Sequence, residues 1–138
     1  MICYVDSSVV LRVLFGEPYL LKEWGKIERA LSSRLLRVEC YRTLDRIKFQ
    51  HKIKSENISA YHLGLHKILF PITLIPINEA ILTFSEASLP TALASLDSIH
   101  LSTALFWRER VKADFLFATH DQELALAAQA QGFEVIGV

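Results

Sequence analysis

The sequence begins MICYVDSSVVLR (residues 1–12), and this stretch places an acid directly behind a short apolar run. Residues 2–5 are apolar, aromatic or β-branched and precede turn formers, a pattern that predicts a buried strand. Ser7 and Ser8 are candidate N-caps of a following helix. Asp6 therefore lies at a strand-to-helix junction, where open α/β sheets bind ligands. Capping of that helix is an equally good interpretation of Asp6 from this stretch alone.

The rest of the chain alternates predicted helices with predicted strands. Helices are predicted from Pro18 to about Leu31, then over 38–49, 55–69, 78–87, 96–110 and 121–131. Strands are predicted at ITLIPI (72–77), DFLFAT (114–119) and FEVIGV (133–138), and SSRLL (32–36) is a connector or a short strand. This alternation implies a parallel sheet with helices on both faces. We expect one three-layer α/β/α domain over residues 1–138, with no linker or repeat.

Composition excludes several classes of protein. With 51% hydrophobic and 22% charged residues the chain is globular, and its apolar runs are too interrupted to span a membrane. No basic segment precedes an apolar one, which argues against a secretory signal, so a cytoplasmic location is expected. The cysteines, Cys3 and Cys40, give no disulfide or metal-binding spacing, which predicts buried, reduced thiols. His62 and His66 form an i, i+4 pair without the glutamate of an HExxH motif, so a histidine metal site is disfavoured.

The charge is zero overall but unevenly distributed. Residues 1–69 hold 12 Lys/Arg against 7 Asp/Glu, whereas residues 70–138 hold 3 against 8. Many of the bases fall in one predicted helical region and its end: Arg34, Arg37, Arg42, Arg46, Lys48, Lys52 and Lys54. They indicate either a basic face for nucleic acid or an ordinary solvated helix surface.

Carboxylates in unusual settings carry the functional signal. Asp121 follows the strand FLFAT at a second strand-to-helix turn, with Thr119 beside it as a hydroxyl donor or ligand. Asp6 and Asp121 would therefore share the carboxyl edge of the sheet. Glu39 and Asp97 lie in apolar helical stretches, LLRVECY and LASLDSIHL, where an uncompensated acid is unfavourable.

Each helical acid also has a structural interpretation. Glu39 could pair with Arg42 one turn on, and Asp97 could serve as an N-cap near Ser95. Taken together with Asp6 and Asp121, however, they form an oxygen-only ligand set that favours hard divalent ions such as Mg²⁺ or Mn²⁺. Sites of that kind activate water and neutralise charge on phosphate.

The segments YVDSSVVLR, RVECYRTLDR, LDSIHLSTAL and FATHDQELALAAQAQGFEVIGV resemble, in order and spacing, PIN-domain ribonucleases, most closely the VapC-type toxins of toxin–antitoxin pairs. The resemblance implies a PIN fold with a five-stranded parallel sheet. It also implies a catalytic, metal-binding cluster of Asp6, Glu39, Asp97 and Asp121. Ser7 and Thr119 match supporting hydroxyl positions, and Arg42 matches a frequent basic position. His120 departs from the pattern, and neither its role nor that of His100 is decided by the sequence.

The leading hypothesis is therefore an Mg²⁺- or Mn²⁺-dependent endoribonuclease that acts as a homodimeric toxin and is silenced by a VapB-like antitoxin. Arg42 and Arg46 are expected to hold RNA through its phosphates. The alternative is a non-catalytic PIN-like module that binds RNA or a protein. A phosphotransfer protein is disfavoured, because position 8 is Ser8 where a dehalogenase-type phosphatase needs a second aspartate.

Overall fold

Five parallel strands form the centre of the protein, which a computed structural model describes over residues 1–138. The strands are β1 (Ile2–Val5), β2 (Arg29–Ser33), β3 (Thr73–Ile75), β4 (Leu116–Ala118) and β5 (Val135–Ile136). The helices are α1 (Ser7–Phe15), α2 (Leu35–Phe49), α3 (Ile58–Leu69), α4 (Glu79–Ser85), α5 (Ser95–Val111) and α6 (Gln122–Ala130). Two short 3₁₀ helices, Trp24–Lys26 and Ser55–Asn57, lie in the connections.

The strand order β3-β2-β1-β4-β5 places the first strand at the middle of the sheet. The chain extends the sheet to one side through β2 and β3, and then returns to the other side of β1 with β4 and β5. In such sheets the crevice where the order reverses is the usual ligand site. Here that crevice lies between β1 and β4, whose register pairs Val5 with Ala118.

Helices cover both faces of the sheet, which confirms the predicted three-layer architecture. Cys3 and Val5 of β1 point to one face, where the core includes Val9 of α1 and Leu36 of α2. Tyr4, between them in sequence, points to the opposite face among residues of α4, α5 and α6. This alternation follows from the period of two along a strand, and it gives β1 two buried faces, as its apolar sequence predicted.

The predicted helix from Pro18 to about Leu31 is wrong. This region contains only the 3₁₀ helix Trp24–Lys26 and then strand β2, which pairs with both β1 and β3. Two of the residues of β2, Ser32 and Ser33, are fully buried. Serines give no strand signal on their own, and the strand is stabilised by its neighbours on both sides, so tertiary pairing overrides the local pattern.

Several local predictions are confirmed with shifted boundaries. Asn78 caps α4 by accepting a hydrogen bond from the Ile81 amide at 3.0 Å. Pro76 directly follows β3, an edge strand, and Gly132 has a φ of 82° just beyond α6, the left-handed conformation that commonly ends a helix. Cys3 and Cys40 are buried free thiols. No helix is long and apolar enough to cross a bilayer.

Candidate functional site

Asp6 is held rigidly at the carboxyl end of β1. It is 4% exposed and is itself the N-cap of α1, so the prediction that Ser7 or Ser8 caps this helix is wrong. Its Oδ1 accepts hydrogen bonds from Ser7 Oγ at 3.1 Å and the Ser8 amide at 3.2 Å. Its Oδ2 accepts from Ser8 Oγ and Thr119 Oγ1, both at 2.6 Å. Four hydrogen-bond donors on two oxygens give the Asp6 carboxylate a fixed orientation.

Thr119 ties together the ends of β1 and β4. Its hydroxyl donates to Asp6 and accepts from the backbone amide of Asp121 at 3.0 Å. Asp121 in turn caps α6, its Oδ1 accepting from the Leu124 amide at 2.8 Å. The structure therefore brings Asp6, Thr119 and Asp121 together at the switch point of the sheet.

One interpretation of the sequence pairs Glu39 with Arg42, and the structure shows that this pair does not form. Its Oε2 lies 2.6 Å from Nε2 of His100, a fully buried histidine of α5. Arg42 instead pairs with Asp45 at 2.8 Å on the exposed side of α2. Burial alone would lower the pKa of His100, but the hydrogen bond with Glu39 and the surrounding negative charges raise it above its usual value.

Asp97 lies in the first turn of α5, but it is not the N-cap, a position held by Ala94 without a side-chain bond. Its carboxyl is half-buried, and burial together with the charges of Asp121, Asp6 and Glu39 raises its pKa to about 6. The proximity of these charges shows that the structure brings the four predicted acids to one edge of the sheet. Asp97 is the member whose negative charge is least compensated.

This donor set fits a hard divalent cation in charge and in ligand type. Carboxylate oxygens converge from two strand ends and two helices. Burial and the charges of Asp121, Asp6 and Glu39 raise the pKa of Asp97, and the nearby His100 offsets this rise only in part. No three His, Cys, Asp or Glu side chains are close enough to form a preformed coordination sphere. A cation held here would therefore retain water ligands, as Mg²⁺ usually does.

The predicted RNA-binding arginines lie outside this cluster. Arg42 is engaged with Asp45, and Nη2 of Arg46 lies 3.4 Å from Thr43 Oγ1 on the same helix. Neither forms an ion pair with any of the four acids. Their proposed contact with RNA therefore depends on an exposed basic surface of α2 beside the acidic edge.

Sequence reasoning missed two contributors to the site, Tyr4 and Ser8, and left the role of a third, His100, open. The sequence pattern around Tyr4 indicates only a buried strand residue, and that around Ser8 indicates only a helix N-cap. His100 left one usable signal, because it follows Asp97 by three positions and so lies on the same face of α5. His120, also left open by the sequence, has its amide on Ser8 Oγ at 2.9 Å and its Nδ1 2.6 Å from the Gly137 carbonyl oxygen.

Comparison with known proteins identifies the family of the chain. The profile of the PIN domain matches residues 3–130. The chain belongs to the PIN-domain family. Ribonuclease VapC46 of Mycobacterium tuberculosis is 29% identical over 134 residues, covering 96% of this chain and 95% of the relative. The crystal structure of PAE2754 from Pyrobaculum aerophilum superposes with a TM-score of 0.62 at 16% identity, covering 96% of this chain and 82% of that one, and so supports the fold alone.

Proposed function

We propose that this PIN-domain protein is a metal-dependent endoribonuclease that hydrolyses RNA phosphodiester bonds. The observation that carries the proposal is the convergence of Asp6, Glu39, Asp97 and Asp121 on the edge of the sheet where β1 meets β4. There, burial and the charges of the other three acids raise the pKa of Asp97 to about 6. Membership of the family and the similarity to a relative named as a ribonuclease supply the reaction class. Residues 1–138 would act as a single domain.

Each acid has a distinct role in this proposal. Asp6 and Asp121 are fixed at strand ends and would provide the rigid part of the cation site, while Asp97 and Glu39 would complete it from helices α5 and α2. Mg²⁺ or Mn²⁺, when bound, supplies an activated water and neutralises charge on the scissile phosphate. Ser7 and Thr119 keep the Asp6 oxygens in place. The bases Arg42 and Arg46 would hold the flanking phosphates.

We further propose that the protein is the toxin of a VapBC-type pair, present in the cytoplasm as a homodimer and inhibited by a VapB-like antitoxin. The support is the VapC name of the relative, which aligns over almost its whole length. An antitoxin that inserts a basic side chain among the four acids would neutralise the same charge as the cation does.

A non-catalytic binding module remains the second candidate, and one observation favours it. No three of the acids lie close enough together to form a preformed coordination sphere. A module that binds RNA without cleaving it would need only the exposed bases of α2, and its RNA binding would not depend on a divalent ion.

A cleavage assay with a matched pair of variants tests the proposal. Asn is as good an N-cap as Asp, so Asp121→Asn preserves the cap of α6 while removing one charge from the site. RNA cleavage in Mn²⁺ should fall by at least about 100-fold, since the site loses a proposed ligand. Asp114→Asn, an exposed aspartate outside the cluster, is the control and should cleave like wild type. Cleavage by wild type that persists in EDTA, or that Asp121→Asn leaves unchanged, would refute the metal-dependent mechanism.

A further inference from the structure

His100 differs from the other histidines in having no exposed surface and a partner on each ring nitrogen. Its Nδ1 lies 2.8 Å from the Tyr4 hydroxyl, and its Nε2 lies 2.6 Å from Oε2 of Glu39. An imidazole bonded at both nitrogens inside a close-packed core cannot rotate without breaking one of these bonds. The ring therefore has a single orientation.

The chain of hydrogen bonds is anchored in the sheet. The Ser33 amide, at the end of β2, donates to the Tyr4 oxygen at 3.0 Å, and the Tyr4 ring stacks on Phe117 of β4 with centroids 5.0 Å apart. In both protonation states of the ring, Nε2–H of His100 can donate to Glu39. Nδ1 accepts from the Tyr4 hydroxyl when the imidazole is neutral and donates to the Tyr4 oxygen when it is charged. A continuous chain of hydrogen bonds thus connects the Glu39 carboxylate to the backbone of the sheet.

Helix α5 carries both Asp97, an acid of the site, and His100, which bonds the acid Glu39. Asp97 and His100 are three residues apart on α5 and so share a face. Since His100 bonds Glu39 of α2, it fixes the position of the Glu39 carboxylate relative to α5, the helix that carries Asp97. Without it, Glu39 would be free to change rotamer, because no other side chain of the protein bonds its carboxylate.

We propose that the buried Tyr4–His100 pair is a positioning device for Glu39: it engages Oε2, so that only Oε1 is presented to a cation among Asp6, Asp97 and Asp121. This inference rests on the proposed function. His100 touches neither cation nor RNA, and acts through Glu39. A purely structural His100 would affect folding alone and leave cation affinity per folded molecule unchanged.

Two substitutions at position 100 separate these roles. In His100→Gln the side-chain amide nitrogen replaces Nε2 and can still donate to Glu39. In His100→Asn the shorter amide reaches only the Nδ1 position, so it keeps the Tyr4 contact and loses Glu39. Both are buried amides, and thermal melts of each variant give the folded fraction used for normalisation.

The expected result is a split between the two variants. By calorimetry on metal-stripped protein, His100→Asn should bind Mn²⁺ about 10–100-fold more weakly than wild type, the usual effect of losing an outer partner of a ligand, while His100→Gln stays close to wild type. In cleavage assays kcat should follow the same order, with KM for RNA unchanged. The ¹⁵N resonance of His100 Nε2 should also move in Glu39→Gln.

The outcomes separate this inference from the proposed function. Equal Mn²⁺ affinity and kcat in His100→Asn and wild type would overturn the positioning role and leave the nuclease assignment standing. A His100 resonance unchanged in Glu39→Gln would overturn the contact itself. Failure of wild type to bind Mn²⁺ and to cleave RNA would overturn both proposals.

Discussion

Replacement of Asp97 by Asn is expected to stabilise the metal-free protein while impairing cleavage. The pKa of Asp97 is raised from 3.8 to about 6 by burial and by the charges of Asp121, Asp6 and Glu39. Taken at full value, such a shift corresponds to about 3 kcal/mol of unfavourable interaction at neutral pH. Because Asp97 is half-exposed, solvent screening reduces this to about 1 kcal/mol.

Relief of that repulsion should raise the melting temperature of the stripped protein by about 3 °C, given a chain of this size. The stabilisation by Mn²⁺ should shrink in the same variant. In Mn²⁺ at 100 times the Kd, wild type gains about 2.7 kcal/mol of stability, and a tenfold weaker Kd removes about 1.3 kcal/mol of it. Cleavage per folded molecule should fall by at least about 100-fold.

These changes are measured by melting curves in EDTA and in Mn²⁺, together with a cleavage assay on the same preparations. Asp114→Asn serves as the control, since it makes the same chemical change at an exposed position outside the cluster, and its melting should match wild type in both buffers. The reasoning is refuted if stripped Asp97→Asn melts clearly below wild type and its folded molecules cleave RNA normally. That result would give Asp97 a structural role.

Three further outcomes are expected. Thr119→Val removes a buried donor to Asp6 and should lower the free energy of unfolding by about 2 kcal/mol in denaturant titrations. The control Thr103→Val, whose hydroxyl bonds only the Ile99 carbonyl, should lower it by about 1 kcal/mol, and equal losses would contradict the special role of Thr119. Since the pKa of Asp97 is raised in the folded state, its contribution to stability is fully present below about pH 4 and is lost as the pH rises through about 6. The free energy of unfolding of metal-free wild type should therefore fall more steeply between these pH values than that of Asp97→Asn. Arg46→Ala should lower the slope of log K for RNA binding against log salt by about one, whereas an unchanged slope would assign Arg46 to surface structure.

The sequence predicted the strand-end acids well because their signals are local. Asp6 and Asp121 each follow a short apolar run and precede a helix, and parallel strands bring such junctions to one edge regardless of the intervening chain. The helical acids Glu39 and Asp97 were recognised by a different local signal, an acid within an apolar stretch. The structure places all four at that edge.

The partners of those acids were less predictable, because they depend on tertiary contacts. Arg42 lies three residues from Glu39 and is the natural partner on a helix surface, yet Glu39 faces the interior and meets His100, 61 positions away. The helix predicted through Leu31 was wrong for the same reason, since strand β2 is stabilised by pairing with β1 and β3 and not by the propensity of its own residues. Periodicity reports which face of an element is buried, but not what it meets there.

The strand order also sets the time at which a newly synthesised chain can acquire its site. Thr119 leaves the ribosome 113 residues after Asp6, whose carboxylate it bonds. This interval is roughly 6 to 23 seconds at ordinary translation rates. Until β4 arrives, β1 is an open edge of a half-built sheet, exposed to adventitious pairing. A nascent chain that lacks β4 therefore contains Asp6 without the hydrogen bond from Thr119. The proposed hydrolysis would begin only after β4 has docked, late in synthesis.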